Sequence, residues 1–386
     1  LEGSLGEFLI FAFWQNLCTL YLSKLILTHF KNYASQTVEF TGGINGIVGP
    51  NGMGKTNLLD AVYFLCMCKS RFPVTDRQLI RHEADFFRLE GHFVREGQTE
   101  KVVAKLPRGG KKAIERDDAP YERISEHVGR YPVVMIAPDD IQLALEGSEE
   151  RRRFIDNTLS QVDPQYLGAL IQYNQALRQR NAFLKQAAES PRSWDANLLA
   201  ALDRQLLPPA EYIFESRSRF IGRFVPLFNE HYAAISGNQE QVSCTYRSQL
   251  QEQPLPEWLE AMREKDRILQ RSNAGIHKDD LVLLIDEYPV KQYASQGQLK
   301  SYVLAMKLAQ YDLLMAETGQ PPILLLDDLF AKLDRHRVSH LMAWITGRSF
   351  GQVFISDTEL ERLSSVVGAQ TDHCRFFEVR KGAILV

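Results

Sequence analysis

The chain has 386 residues, 45% of them hydrophobic and 24% charged, with a formal net charge of −3. That is enough apolar material for a sizeable core in two or three domains, and any nucleic-acid surface on so balanced a chain has to be a local patch. Scattered cysteines (Cys18, Cys66, Cys68, Cys244 and Cys374) argue against a disulfide framework and for a reducing compartment, and Cys66 and Cys68 read as core rather than zinc ligands.

Residues 1–19 read as an extension of unknown role. Its run over 8–14 is apolar, yet too short to span a bilayer and without the preceding positive charges of a secretory signal. Residues 20–28 alternate as a strand does, residues 30–33 form a polar turn, and a return strand starts near Val38. The apolar run 44–48 leads into Gly49-Pro50-Asn51-Gly52-Met53-Gly54-Lys55-Thr56, which fits G-x-x-x-x-G-K-[ST]; this loop and Asn57 after it are the candidate nucleotide contacts, and a helical stripe runs from Leu58 to Leu65. Strand, loop and helix stand in the order a phosphate-binding loop needs. The glycines turn backbone N–H groups inward, and the helix N-terminus adds its dipole. Lys55 would reach the β- and γ-phosphates of ATP, and Thr56 would bind Mg²⁺.

Strands are predicted over 87–94, 101–106 and 133–136, with a hairpin tip at Arg108-Gly109-Gly110-Lys111-Lys112. From Glu149 to about Ser236 the pattern is helical, with breaks at Asp163-Pro164, Ser190-Pro191 and Pro208-Pro209. Strand character returns at 281–285. Ser295-Gln296-Gly297-Gln298 then opens a long helix, and the continuous apolar run 323–326 reads as a strand buried on both faces. A helix over 334–345, a strand over 351–355 and a terminal hairpin close the chain. The expected organisation is a first ATPase lobe over 20–146, a compact helical lobe over 147–280, and completion of the ATPase lobe over 281–386.

Two further motifs narrow the chemistry. Asp327 and Asp328 end the 323–326 strand as a Walker B arrangement. Asp327 would hold Mg²⁺ through water beside Thr56, and Asp328 would orient or deprotonate the attacking water. Ser295 and Gly297 at a helix N-terminus make a second anion site. One γ-phosphate and two anion sites, far apart in sequence, point to a composite site shared by two chains.

The ordered set resembles the α/β P-loop ABC-type ATPase heads of the SMC kind, with mixed sheets and an inserted helical lobe. Within them it is similar to the RecF family of bacterial recombinational repair proteins. The residues that carry the likeness are Phe30-Lys31-Asn32-Tyr33, the P-loop, Lys69-Ser70-Arg71, Pro138-Asp139-Asp140, the run 151–156, the run 275–280, and the sequences SQGQLKS and LLLDDLFAKLD. The resemblance implies an ATP-dependent cytoplasmic homodimer on double-stranded DNA, acting with RecO and RecR to load recombinase at gaps. It implies that Lys31 and Asn32 lie near the nucleotide, and that Ser295, Gly297 and Gln298 form a signature motif reaching the partner's γ-phosphate. It also implies that Leu333-Asp334 is the loop communicating across the dimer.

The chain departs from the family pattern in three places. Ala331 replaces the usual serine of that loop. The second Walker B acid is Asp328 rather than the glutamate of most transporters, which predicts slow turnover. The switch position offers Ser356, Asp357 and Thr358 and no histidine, leaving a γ-phosphate sensor unassigned. Gln142 is the candidate lobe-connecting glutamine, a metal-side group.

Arg151, Arg152, Lys111 and Lys112 lead the basic residues that could contact DNA phosphates, with Arg153, Arg178, Arg180, Arg217, Arg219, Arg223 and Arg108 behind them. His277, Asp279 and Asp280 read as a structural turn rather than a metal site. The nucleotide subunit of a membrane transporter and a non-catalytic ATP-gated DNA scaffold would share the same three nucleotide motifs.

Overall fold

The computed structural model describes residues 20–189, 194–330, 333, 335–346, 351–367 and 374–385. The extension over 1–19, Ser190-Pro191, Ala331 and Asp334 lie outside them. The chain divides into two units, Leu1–Asp140 with Gln310–Val386, and Ile141–Ala309.

The first unit holds two six-stranded sheets. One is antiparallel throughout, in the order Tyr33–Glu39, Tyr21–Phe30, Phe86–Arg95, Gln98–Pro107, Ala113–Arg116 and Ala119–Pro120. The other runs Ala383–Leu385, Cys374–Arg380, Ile44–Val48, Val353–Asp357, Ile323–Leu326 and Val133–Ile136, parallel except for the terminal hairpin. Ile323–Leu326 and Val133–Ile136 are continuous apolar runs buried at every position, as strands covered on both faces are. The helix Lys55–Met67 packs against strands of both sheets, so nearly all its side chains are buried and it has no polar face. Cys66 and Cys68 are buried free thiols in this core, and burial pushes the Cys68 thiol up to about 12. Gln352, fully buried, ties the sheets together: its amide accepts from Leu22 N at 2.8 Å and donates to Leu22 O and Thr41 O, both at 2.8 Å.

His127 carries a pH dependence. Its ring is fully buried; Nε2–H donates to Leu65 O at 2.7 Å, and Nδ1 has no partner. Burial lowers its pKa from 6.5 to about 4. The folded state therefore binds fewer protons than the unfolded one below pH 6.5, and stability falls as pH drops through the window from 6.5 to 4. The loss at pH 5 is about 2 kcal/mol. Urea unfolding of wild type and His127→Gln between pH 4 and 8 checks this. The glutamine amide can still donate to Leu65 O but does not titrate, so its curve should be flatter by that amount.

The second unit is built on the helices Ser148–Val162, Pro164–Glu189 and Ala196–Ser236. Asp163-Pro164 separates the first two, as expected. Pro208-Pro209 does not break the third: both lie inside a 41-residue helix, with Pro226 further along. Each proline removes one i→i−4 bond, yet burial of a long face, including Pro209, Ala210, Ile213 and Phe220, outweighs the loss. Nor is this unit all helical. Val242–Arg247 pairs antiparallel with Asp280–Ile285, which pairs with Tyr288–Pro289. That pairing carries the residues after 280 into the second unit, so the division falls at Asp140/Ile141 and Ala309/Gln310 rather than at 147 and 281.

Two fully buried arginines organise the second unit. Arg217 donates to Asp279 at 2.6 Å, Asp156 at 2.9 Å and the Ile276 carbonyl at 2.8 Å. Arg180 donates to Asp266 and Asp203, both at 2.6 Å, and to Ser272 Oγ at 2.9 Å. His277 is spent structurally: Tyr173 O–H donates to Nδ1 at 2.7 Å, and Nε2–H donates to Ser272 O at 3.1 Å. Among the described residues no group of three or more His, Cys, Asp or Glu is placed to hold a metal ion. No helix among them is long and apolar enough to cross a membrane.

Candidate nucleotide-binding site

The site grows from sheet order. The strand Val353–Asp357 lies between the P-loop strand Ile44–Val48 and the Walker B strand Ile323–Leu326, parallel to both. Parallel register puts the carboxyl ends of all three together, where open α/β sheets bind ligands. Thr56 Oγ1 consequently donates to Asp327, 3.0 and 2.8 Å from its two carboxylate oxygens, across 271 positions of sequence.

Ser356 bridges the acidic pair. Its hydroxyl donates to Asp327 Oδ1 at 2.7 Å and accepts from the Asp328 backbone N–H at 2.9 Å. Asp327 is buried, which raises its pKa; the bonds from Ser356 and Thr56 oppose the rise. Asp328 sits at φ 45°, a left-handed conformation that aspartate tolerates better than most residues, and its Oδ1 is buried without a hydrogen-bond donor. Lys55 Nζ donates to Gly49 O at 2.6 Å and Pro50 O at 3.1 Å. Burial lowers its pKa, while Asp328, Asp327 and Asp357 favour the charged form.

The loop is braced from outside. Asn32 Nδ2 donates to Met53 O at 3.0 Å, Asn32 Oδ1 accepts from Asn57 Nδ2 at 2.8 Å, and Tyr33 O–H donates to Gly54 O at 2.9 Å. Gly382 N and Lys381 N, at the tip of the terminal hairpin, donate to Met53 O at 3.0 Å and Met53 Sδ at 3.3 Å. Gly54 has φ 118°, and a Cβ there would stand 2.5 Å from Asn32 Nδ2, so only glycine fits. A Cβ on Gly49 would stand 2.3 Å from Val379 O. Asn51 and Gly52 are exposed at the loop's crest.

Asn32 thus grips the loop's backbone as a positioning residue. Lys31 turns to the Walker A helix. Its ammonium pairs with the buried Asp60 at 2.7 Å, on the Walker A helix, and lies 5.0 Å from the Phe72 ring centroid. Its charge is therefore paired on the helix that follows the loop. Asp60 also accepts from Ser70 Oγ and Arg71 N, both at 2.8 Å, and Arg71 pairs with Asp140. This gives the Lys69-Ser70-Arg71 and Pro138-Asp139-Asp140 runs a structural account.

The signature residues lie in the second unit. Ser295 and Gln298 form a reciprocal cap: Ser295 N donates to Gln298 Oε1 at 2.7 Å, and Gln298 N donates to Ser295 Oγ at 3.2 Å. Gln298 Nε2 also donates to Glu240 at 2.9 Å. The cap starts the helix Gln296–Thr318 and leaves Ser295 exposed. Gln142, exposed, opens the short helix Gln142–Leu145 in the same unit.

Most of the basic residues singled out from sequence are paired within the chain. Arg151 donates to both carboxylate oxygens of Asp280 and to Leu143 O and Glu146 O. Arg152 donates to Asp279 O at 2.6 Å, and Lys112 to Asp76 at 2.6 Å and Cys68 O at 2.5 Å. Arg108 donates to Ala84 O, and Arg153 pairs with Glu149 and Glu150. Arg180 and Arg217 are the buried clamps. Lys111, Arg178 and Arg219 remain exposed.

A family model described as "RecF/RecN/SMC N terminal domain" matches residues 21–375. The DNA replication and repair protein RecF of Flavobacterium johnsoniae is 41% identical over 360 residues, covering 93% of this chain and 100% of that protein. The chain belongs to the RecF family. A solved structure described as the recombination mediator protein RecF with ATPrS in the RecFOR pathway superposes with a TM-score of 0.85 at 27% identity, over 95% of this chain and 98% of that one. An SMC head domain from Pyrococcus furiosus shares the fold, with a TM-score of 0.53 at 19% identity over 95% of each chain. Membership accounts for the ABC-type head: two sheets around a Walker A helix, with the second unit inserted between Walker A and Walker B.

The sequence named Ser356 only as one of three switch candidates. What it lacked was strand order, which brings Ser356 up to bridge Asp327 and the Asp328 backbone N–H.

Proposed function

We propose that the chain is an ATP-dependent double-stranded-DNA-binding protein of recombinational repair and replication-fork maintenance, working in the cytoplasm. ATP binding would drive homodimerisation on DNA, slow hydrolysis would release it, and RecO and RecR would join it in loading recombinase at gaps. The single observation that carries the reading is the union of Thr56 and Asp327 under an unpartnered Asp328 oxygen.

The donor set fits ATP and Mg²⁺. Thr56 and Asp327 offer the hard oxygens this cation takes, and the P-loop glycines leave backbone N–H groups for phosphate. When bound, the nucleotide and its cation supply the scissile phosphoanhydride and the bridging charge between subunits. Lys55 holds its ammonium at the loop. Asp328 accepts the proton of the attacking water. Ser295 and Gly297 present a capped helix N-terminus to the partner chain, so closure is favoured only when both halves are engaged. Ser295 then has a structural task in its own chain and a binding task in trans.

The relatives' printed names favour repair over a transporter subunit. The test is duplex DNA binding with and without ATP across a salt series. The expected result is ATP-dependent binding whose affinity falls steeply with salt; indifference to DNA at every salt concentration would favour the transporter.

A further inference from the structure

The helix Arg263–Leu269 ends in an exposed knuckle of the second unit. Ile268 is 73% exposed and Leu269 44%, although both are large aliphatic side chains. Gln270 at φ 55° ends the helix, and Arg271 N donates back to Asp266 O at 3.2 Å. Between Arg263 and Lys278 the sequence has five cations and two carboxylates. One of those, Asp266, is buried against Arg180; the other, Glu264, pairs with Arg267 at 3.5 Å. Lys265, Arg271 and Lys278 are exposed and make no ion pair among the described residues.

The knuckle is held rigidly from beneath. Arg180 binds Asp266 and Ser272, Asn273 donates twice to Asp266 Oδ1 at 2.9 Å, and Ser272 bonds Asn181 at 2.8 Å. The His277 bond to Ser272 O brings Lys278 beside the turn. The cations feel one another: burial first, then Arg271, Arg152 and Lys265, hold the Lys278 ammonium below its ordinary value against the pull of Asp266. An exposed aliphatic pair inside a fixed basic collar suits a polyanion with apolar faces between its charges.

We propose that Ile268 and Leu269, collared by Lys265, Arg271 and Lys278, form a DNA contact in which the cations take backbone phosphates and the aliphatic pair packs against an unstacked base step. The proposal rests on the DNA-binding reading above and names the surface that performs it. Phosphate contacts of this kind carry affinity and salt dependence without sequence preference, and aliphatic wedges favour steps that open cheaply.

The test uses the full chain with ATP and two labelled duplexes, one intact and one with a single-strand gap, titrated by anisotropy from 0.05 to about 0.3 M salt. Lys265→Ala/Arg271→Ala/Lys278→Ala should bind both duplexes about 10²-fold more weakly near 0.15 M, with the log–log salt slope reduced by about three. Ile268→Ser should keep the slope and lose affinity selectively for the gapped duplex. Unchanged nucleotide binding in both variants reports an intact fold, since the altered side chains are exposed. Wild-type affinity and slope in the triple variant overturn the assignment and leave a protein partner as the knuckle's occupant. Failure of the wild type to bind either duplex overturns the DNA-binding reading itself.

Discussion

Lys55→Met is expected to lower ATP hydrolysis about 10²–10³-fold and to abolish nucleotide-dependent dimerisation, the scale seen when one preorganised charge donor is removed. Methionine fills the space of the lysine stem, so the Walker A helix, buried between two sheets, should keep its packing. What is lost is a buried ammonium already placed by Gly49 O and Pro50 O, whose charged form burial disfavours and Asp328, Asp327 and Asp357 favour. The variant should unfold in urea near the wild-type midpoint. Steady-state phosphate release and sedimentation with ATP read the effect. Wild-type turnover in Lys55→Met would mean that the loop does not serve hydrolysis.

Asp328→Asn is expected to separate closure from turnover. Asparagine tolerates left-handed backbone as aspartate does, so φ 45° at this position remains acceptable. The bond from the residue 328 backbone N–H to Ser356 Oγ does not involve the replaced carboxylate and is kept. The carboxylate's capacity to accept a proton is removed together with its charge beside Lys55, and general-base loss typically costs about 10²–10⁴-fold in rate. Thr56, Asp327 and Ser356 remain to hold the nucleotide. The variant should therefore accumulate as an ATP dimer on duplex DNA, with release slowed to match. DNA release at the wild-type rate would instead support a scaffold in which Asp328 does little.

The nucleotide half-site was legible because its chemistry is local. The glycine spacing, Lys55 and Thr56 lie within eight residues, and the apolar runs at 44–48 and 323–326 announce strands buried on both faces. Long-range pairing was not legible. Ser356 bridges the acidic pair only because Val353–Asp357 lies between the two motif strands. Nothing local in the Arg151-Arg152 pair shows that Asp280 and the Asp279 carbonyl, more than a hundred residues away, accept from their guanidinium groups. Nor does the sequence show that Asp60, on the neighbouring helix, pairs with the Lys31 ammonium. Local rules were overruled where burial was large. Pro208 and Pro209 sit inside a helix. The strand Val242–Arg247, only six residues long, becomes a strand through its pairing with Asp280–Ile285.

The central claim is that one nucleotide is held by two chains, Lys55 from one and Ser295 from the other. Mixing two inactive variants tests it most directly. Lys55→Met lacks a working P-loop, and Ser295→Arg blocks the signature helix with a bulky cation. A mixed dimer joins the intact P-loop of the second variant to the intact signature helix of the first. Each variant alone should fail to hydrolyse ATP or dimerise with it, and the equimolar mixture should regain both. A mixture as inactive as its components, with each variant still folded, would contradict a site shared in trans.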